Sequence, residues 1–283
     1  MSVERCRAIA RAASEDRRSP CSCLSLGELK METWRLLDLE YSDAPSNLAF
    51  EEALVREVGN GKSPPTLRLW RNPKAAVIGE NQSAEHELQL DTCRELGVEI
   101  VRRFTGGGAV YHDPGNLNYS ICTPKLSHSS LELQNLIFRQ ALECAAACLL
   151  NLGLVSTVVP VNTIMVRGRK ISGGAGAIRW GAILYHGSIL TNTDLEMVWR
   201  ILRRQQMTGL TKFVQSTCAP VTSLERELGG SISIDRVKRS LRDAFVKTFK
   251  ARLVPGPATG QELDAVLGLV KEKYGTEEWN FRI

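Results

Sequence analysis

A run of three glycines follows a cationic stretch of the chain, in the segment R-R-F-T-G-G-G-A-V-Y-H from Arg102 to His112. Glycines permit positive φ and allow a backbone to approach a ligand closely. The exposed amides of such a loop can surround an anion, and Arg103 before the loop can add a fork of donors for phosphate or carboxylate. The segment therefore predicts a site for an anionic ligand. Its spacing matches neither a P-loop nor a dinucleotide-binding loop.

A second candidate is the lysine in the segment G-R-K-I-S-G-G-A-G, Gly168 to Gly176. A lysine after a glycine turn is usually only solvated, but small residues that follow Lys170 leave room beside its ammonium. We expect a turn over Arg167 to Lys170 and a glycine-rich connection over Gly173 to Gly176 between strands. Lys170 is therefore predicted to face an opening that a ligand can fill.

Hydrophobic periodicity places these two segments among strands and long helices. It predicts helices over Ser46 to Val58, Ala84 to Leu96 and Leu131 to Leu152. It also predicts that Thr193 caps a helix to about Arg204, and that Thr259 and Glu262 form a capping box. Runs of strands without regular βαβ alternation favour an α+β fold, with a mixed or antiparallel β-sheet flanked by α-helices.

Composition narrows the class of protein. The chain has 283 residues, 43% of them hydrophobic, and its net charge of +5 is the small difference between 36 basic and 31 acidic side chains. Such a balance gives no support to nucleic-acid binding, and no apolar run is long enough to cross a membrane. The eight cysteines are scattered, which is typical of a reducing compartment. We expect a soluble, cytoplasmic protein.

The first part of the chain differs from the rest. Residues 1–30 are rich in arginine and serine and have no apolar core of the kind a secretory signal requires. Periodic sequence starts at Met31, so we expect residues 1–30 to be a disordered extension or the product of a start codon assigned too early; an organellar targeting peptide is the alternative. Residues 31–283 are expected to form the catalytic domain.

Four motifs, all in one order, resemble the lipoate–protein ligase catalytic domain of the biotin/lipoate protein ligase superfamily. They are W-R-N-P-x-x-x-x-I-G-x-N-Q at Trp70 to Gln82, the two glycine segments described above, and H-G-S-I-L at His186 to Leu190. The resemblance implies that the chain activates lipoate, or octanoate, with ATP and Mg²⁺ and transfers the acyl group to a lysine of an acceptor domain. It resembles the split type of ligase, which lacks the C-terminal domain.

The resemblance also implies roles for individual residues. Lys170 matches the catalytic lysine that contacts the acyl carboxylate and the α-phosphate. The positions that match substrate-binding or ATP-binding residues are Arg103, Gly106, Gly107, Gly108, Ala109, Val110, Tyr111, Asn162, Lys170, Gly173, Ala175 and His186. Thr163 stands where an aspartate is expected, and Tyr185 where a first histidine often occurs. No protein-only metal site is predicted, because neither His112 nor His186 has ligand spacing to nearby residues.

The expected partners follow from the same resemblance. They are lipoyl-acceptor proteins, namely the glycine cleavage H protein and the E2 subunits of 2-oxoacid dehydrogenases, and a separately encoded accessory ligase subunit. Neither nucleic acid nor membrane is expected as a partner.

Two other functions stay open from the sequence. An ATP-independent octanoyltransferase passes its acyl group through a cysteine thioester, for which Cys218 is the candidate nucleophile. A second branch of such transferases carries its cysteine about fifteen residues before the lysine, where this chain has Val155. A non-catalytic lipoyl-binding homologue is the third possibility.

Overall fold

The computed structural model describes residues 31–125, 131–159, 162–203, 216 and 219–283, without the side chains of 131–134. Within these residues, eight strands form one mixed sheet in the order β11-β1-β2-β6-β10-β9-β8-β7. Their bounds are β1 Thr33–Asp38, β2 Thr66–Trp70, β6 Asn116–Pro124, β7 Thr157–Val159, β8 Thr163–Val166, β9 Arg169–Arg179, β10 Ala182–Leu190 and β11 Arg252–Pro255. A second sheet of the described residues has the order β4-β3-β5, with β3 Ala75–Ile78, β4 Glu99–Arg102 and β5 Val110–His112. The prediction of an α+β fold with a mixed sheet is confirmed.

Helices cover the sheets. Their bounds in the described residues are α1 Ala44–Gly59, α2 Ala84–Glu87, α3 Leu90–Glu95, α4 Leu131–Asn151, α5 Leu195–Ile201, α6 Leu224–Leu228, α7 Ile234–Phe249, α8 Gly260–Leu269 and α9 Glu277–Asn280. A π-helical turn, Val270–Tyr274, extends α8. Helices α4 and α7 pack on one face of the large sheet, and α1 and α8 pack on the other. The small sheet packs against α2, α3 and α5.

The central strands explain why the large sheet can be buried on both faces. Along β6, Leu117, Tyr119 and Ile121 point into the core beneath α4 and α7. Asn118 and Ser120, which alternate with them, point toward α1 and are also almost completely buried. Alternate residues of a strand face opposite sides of the sheet, so β6 presents an apolar face to one layer and a polar face to the other. That polar face is where the candidate site lies.

The glycine-rich stretch from Gly173 to Gly176 is not a connection between strands, as the sequence predicted; it lies inside β9 and pairs with β10 along its length. Its glycines are needed for packing on the core face. A Cβ at Gly176 would lie 2.6 Å from the Phe138 ring, and one at Gly187 on β10 would lie 2.5 Å from the Tyr119 ring. The two strands therefore keep their regular pairing, and the aromatic rings pack directly against their backbone.

Other boundaries differ locally from the prediction. The helix expected over Ala84 to Leu96 is two short helices, α2 and α3, with Leu88 and Gln89 between them in non-helical conformation. Asp194 caps α5 instead of Thr193, because its carboxylate accepts the backbone N–H groups of Glu196 and Met197, and α5 ends at Ile201. The Thr259 and Glu262 capping box is confirmed. The described residues contain no helix that is both long and apolar enough to span a membrane.

The expectations for residues 1–30 and for Cys218 fall outside the described residues.

Candidate active site

A cavity opens on the α1 side of the large sheet, above the middle of β6, β10 and β9. Its floor is formed by residues of β2, β6, β9 and β10, and α1 and the glycine loop form its sides. The residues that line it are Leu48, Glu51, Trp70, Val77, Arg103, Gly108, Ala109, Val110, His112, Asn118, Asn162, Thr163, Lys170, Gly173, Gly174, Ala175, His186, Gly187, Ser188 and Ser216. This cavity brings together nine of the twelve predicted site residues: Arg103, Gly108, Ala109, Val110, Asn162, Lys170, Gly173, Ala175 and His186.

A second cavity adjoins the first and has a more apolar wall. Its apolar lining includes Val198, Trp199 and Leu202 from α5 and the residue that follows it, together with Val221. It shares six lining residues with the first cavity: Ala109, Val110, Lys170, Gly173, Ser188 and Ser216. Tyr111, another predicted site residue, lines this second cavity. Gly106 and Gly107 are not among the lining residues of either cavity.

Lys170 stands where the two cavities meet, and a bulge places it there. The pairing of β8 with β9 shifts register between Ile164 and Met165, which leaves Ile171 as the extra residue beside Lys170. The Lys170 N–H donates to the carbonyl of Pro220 at 2.7 Å, and the Lys170 carbonyl accepts from the N–H of Thr222 at 2.9 Å. The backbone of the lysine is therefore held between β8 and the segment that precedes α6.

The Lys170 side chain lies across Gly173. A Cβ at Gly173 would be 2.8 Å from Cε and 2.9 Å from Nζ of the lysine, so only glycine leaves this space open. No hydrogen bond or ion pair joins the ammonium to another described residue. Burial lowers the pKa of Lys170, and the nearby Arg103 cation lowers it further. An ammonium that is desolvated and has no acceptor is prepared to bind an anion.

Arg103 is almost fully buried and turns toward the glycine loop. Its guanidinium donates to the carbonyls of Gly106 at 2.7 Å, Gly108 at 2.8 Å and Val77 at 3.1 Å, and to the hydroxyl of Thr105 at 3.1 Å. Burial lowers the pKa of Arg103 to about 10, where it still carries its charge at neutral pH. The sequence predicted a fork aimed at a ligand. In the structure most of the donors of this fork fix the loop, and the cation faces the cavity from beneath it.

Ser216 covers the glycine loop and accepts one of its backbone hydrogen bonds. The Ala109 N–H donates to the Ser216 hydroxyl at 2.8 Å, and Gln82 Nε2 donates to the same oxygen at 3.1 Å. Gly107 has a φ of 88° and needs to be glycine, and the carbonyl of Gly107 packs against Gly79. An anion bound to the Ala109 amide would have to replace this hydroxyl.

A buried network crosses the first cavity from α1 to the loop. His186 Nδ1 lies 2.8 Å from Oε2 of Glu51, and His186 Nε2 lies 2.9 Å from the Thr105 hydroxyl. The Ser120 hydroxyl donates to the other carboxylate oxygen of Glu51 at 2.6 Å. Burial opposes ionisation of Glu51, but the His186 ring and these hydrogen bonds outweigh it, and the pKa of Glu51 is lowered. His186 therefore orients the loop through Thr105 as well as lining the cavity.

Two other polar groups of this wall are neutral or paired within the protein. Burial, together with the Arg103 cation, lowers the pKa of His112 to about 3, so its ring is neutral. The ring lies 3.1 Å from Nδ2 of Asn72. Asn162 donates its side-chain amide to the Gly174 carbonyl at 2.8 Å, which ties the end of β8 to β9. Thr163, where an aspartate was expected, lines the cavity.

Four described cysteines are free, and all are buried away from the cavities: Cys93, Cys122, Cys144 and Cys148. Burial raises the pKa of each, to about 11 for Cys93 and about 12 for Cys148. A thiol with a raised pKa is a poor nucleophile at neutral pH. Within the described residues there is also no group of three or more His, Cys, Asp or Glu side chains that could hold a metal ion.

Comparison with known proteins identifies this arrangement. The lipoyl protein ligase A/B catalytic domain family matches residues 43–246. This chain belongs to that family. It is 35% identical to lipoate-protein ligase A subunit 1 of Thermoplasma acidophilum, over 87% of this chain and 95% of the relative. It is also 32% identical to the octanoyltransferase LipM of Symbiobacterium thermophilum, over 89% of this chain and the whole of the relative. The family resemblance predicted from the four motifs is confirmed, and the chain is an enzyme of the lipoate ligase and octanoyltransferase family.

Solved structures agree with this membership. A bipartite lipoate–protein ligase from Thermoplasma acidophilum, studied with its E2 lipoyl domain, is 32% identical and superimposes with a TM-score of 0.76, over 89% of this chain and 96% of that one. A lipoate–protein ligase A bound with ATP is 33% identical, with a TM-score of 0.75 over 89% of this chain and 99% of that one.

The sequence missed Glu51 and Asn118. Each lies in an element that its pattern describes only as apolar or strand-like, and nothing local marks Asn118 as part of a site. A signal was present for Glu51, because a charged residue on the apolar face of an amphipathic helix requires a buried partner.

Proposed function

We propose that this chain is the catalytic subunit of an ATP-dependent lipoate–protein ligase. The observation that carries the proposal is the position of Lys170. Its desolvated ammonium has no acceptor among the described residues and lines both cavities at their junction. A group in this position can contact two anionic substrates at once, as a reaction between a carboxylate and a phosphate requires.

The two cavities differ in lining, and we assign one substrate to each. The first extends over Gly173, Gly174, Gly187 and Ser188 of β9 and β10, whose small side chains leave space for an acyl chain. The second is bordered by Val198, Trp199 and Leu202, an apolar wall of the kind that packs against a flat nucleotide base. The relative that was solved with ATP supports a nucleotide as the second substrate.

The chemistry follows from this placement. An oxygen of the acyl carboxylate attacks the α-phosphorus of ATP, and pyrophosphate leaves with its Mg²⁺. Lys170 reduces the repulsion between the two anions and stabilises the charge that develops on the α-phosphate oxygens. The ε-amine of a lysine on the acceptor then attacks the carbonyl of the acyl adenylate and loses a proton. An amide forms and AMP leaves, without a covalent enzyme intermediate.

The loop residues act by position. Ala109 and Val110 line both cavities and Gly108 lines the first, and Arg103 holds the loop backbone through the carbonyls of Gly106 and Gly108. His186 fixes the loop through Thr105, and Asn162 ties the end of β8 to β9. These contacts support the site residues expected from the sequence, with Gly106, Gly107 and most donors of Arg103 acting on the loop instead of on the substrate.

We propose that residues 31–283 form the catalytic domain, that lipoyl domains of E2 subunits and the H protein are its acceptors, and that a separate accessory subunit completes it. The family relatives support the last point, because one of them is named subunit 1 of its ligase and another is bipartite and was studied with an E2 lipoyl domain.

A second candidate is cysteine-dependent octanoyl transfer, which similarity to LipM favours. Its nucleophile would have to be Cys218, which lies outside the described residues. The segment that follows Cys218 is bonded to Lys170 through Pro220. The other cysteine position used in this family is Val155 here, whose side chain is 81% exposed and lines neither cavity.

The two reactions are separated by one assay. The purified full-length chain is incubated with a lipoyl-accepting domain, and the mass of the acceptor is measured after addition of either lipoate with MgATP or octanoyl carrier protein. A gain only with lipoate and ATP, lost in Lys170→Met and kept in Cys218→Ala, is the expected result. A gain only from the octanoyl carrier, lost in Cys218→Ala, contradicts the ligase.

Lys247→Met is the matched control, because Lys247 is exposed on α7 and lines neither cavity. Pyrophosphate exchange with ATP, measured with and without an accessory subunit from a bipartite ligase, separates adenylation from the dependence on that subunit.

A further inference from the structure

Four residues form a straight row across the floor of the first cavity. Gly173 on β9 pairs with Ser188 on β10, Ser188 pairs with Asn118 on β6, and Asn118 pairs with Trp70 on β2. Residues that pair directly across a sheet point to the same face. All four line the cavity, so the row gives the direction of its floor.

The spacing between neighbouring strands sets the distances along this row. Neighbouring strands lie about 4.8 Å apart, so Asn118 is about 10 Å from Gly173 along the row. Lys170 Nζ rests on Gly173 at one end. An extended eight-carbon acid measures about 9 Å from its carboxyl carbon to its last carbon. A carboxylate bound to Lys170 therefore brings the last three carbons of such a chain to Asn118.

Asn118 has an unusual hydrogen-bonding state. Its side chain is 2% exposed, and its Oδ1 accepts from Nδ2 of Asn116 at 2.7 Å. Its Nδ2 has no hydrogen-bond partner among the described residues. A buried donor without a partner is costly, and it retains its full capacity for an acceptor on a bound chain.

Lipoate and octanoate differ at this point of the chain. Octanoate ends in methylene and methyl groups, which accept no hydrogen bond. Lipoate carries its two sulfur atoms on carbons 6 and 8, and sulfur is a weak acceptor with a large, polarisable surface. We infer that Asn118 is a specificity-determining residue, which selects the sulfur-bearing end of lipoate over the methyl-terminated chain of octanoate through its free Nδ2–H group. This inference rests on the proposed assignment of the first cavity to the acyl chain.

The test measures binding, so that it does not depend on turnover. Non-hydrolysable lipoyl and octanoyl sulfamoyl adenosines are titrated into the full-length chain by calorimetry. The wild-type chain should bind the lipoyl compound about tenfold more tightly, since the octanoyl chain leaves one buried donor unpaired. In Asn118→Leu the ratio should fall to about one. Equal affinity of the wild-type chain for both compounds, or a ratio that survives in Asn118→Leu, would overturn the inference.

Leu48→Met serves as the control variant, because Leu48 lines the same cavity and the exchange keeps its volume and polarity. It should change both affinities by the same factor. If neither compound binds the wild-type chain at all, the proposed ligase function fails, which is distinguishable from a failure of Asn118 alone.

A substrate series removes the risk that Asn118→Leu folds poorly. Octanoyl sulfamoyl adenosines with one sulfur in place of carbon 4, 6 or 8 are titrated into the wild-type chain. Sulfur at position 6 or 8 should strengthen binding relative to octanoyl, and sulfur at position 4, which lies before Asn118, should not. An equal gain in affinity from sulfur at position 4 would mean that sulfur is favoured along the whole of the first cavity, which contradicts a role for Asn118.

Discussion

Replacement of Lys170 by methionine should lower the catalytic rate without lowering the stability of the folded chain. Methionine keeps the length of the side chain and removes the charge. A cation about 4 Å from a developing negative charge, at an effective dielectric constant of about 20, contributes about 4 kcal/mol, which corresponds to about a thousandfold in rate. We therefore expect ATP–pyrophosphate exchange in the presence of lipoate to fall by about a thousandfold.

The same substitution should not destabilise the protein. Burial lowers the pKa of Lys170 in the folded chain, so folding at neutral pH holds the charged form at a cost that the unfolded chain does not have. That cost is largest below the folded-state pKa, shrinks as the pH rises from there toward the ordinary lysine pKa of 10.5, and is gone above it. Lys170→Met should accordingly unfold at the same temperature as the wild-type chain or at a higher one.

Two measurements test this reasoning, exchange kinetics and thermal unfolding at pH 7. A variant that is inactive because it is misfolded would show a lowered Tm, and that result would refute the account of Lys170 as a destabilised, functional cation. A loss of exchange below tenfold would refute its electrostatic role. Transfer from synthetic lipoyl adenylate to an acceptor should be affected less than exchange, because the adenylate carries one negative charge and Lys170 no longer has to bring two anions together.

Three further predictions concern the surroundings of Lys170. The pH profile of exchange should fall on the alkaline side at a pKa below the ordinary lysine value of 10.5, because activity requires charged Lys170; a profile that is flat to that value contradicts this. Gly173→Ala should reduce exchange at least tenfold, because its Cβ would displace the ammonium, whereas Gly230→Ala, which meets open space, should not; equal activity of both variants in the same assay would contradict the packing argument. Glu51→Gln should lower the free energy of unfolding at pH 7 by about 1–3 kcal/mol, because the amide nitrogen that replaces one carboxylate oxygen cannot accept from His186 or from Ser120. The difference in unfolding free energy between the wild-type chain and Glu51→Gln should shrink as the pH falls below 4.5 and through the lowered pKa of Glu51. Urea unfolding at pH 7 and pH 3 measures this difference. An equal difference at both pH values would mean that Glu51 is neutral in the folded chain.

The described cysteines add one more expectation for the choice between reactions. Because burial raises the pKa of Cys93 to about 11 and of Cys148 to about 12, neither should react with iodoacetamide at pH 7.5 in the folded chain. Peptide mass spectrometry after brief labelling measures this, and fast labelling of Cys148 would show that its helix opens easily.

The sequence by itself determined the family, the fold class and the identity of the central lysine. These depend on short segments in which residue types at fixed spacing require a particular chemistry, such as glycines that leave room beside a cation. Lys170, Gly108, Ala109 and Gly173 could be predicted on that basis. The capping box at Thr259 was predictable for the same reason, since all of its atoms lie within four residues of the chain.

Only the tertiary structure decided which way each side chain faces and what lies opposite it. Arg103 was expected to reach a ligand, but the carbonyls of the loop that it precedes are closer. The glycines after Lys170 form a strand because aromatic side chains of distant elements fill the space beside them. Asn118 acquires its position from two pairings, with Trp70 and with Ser188, and Ser188 lies 70 residues away in the chain. The face of a strand that becomes a site depends on register between segments remote in sequence, and no local pattern records that register.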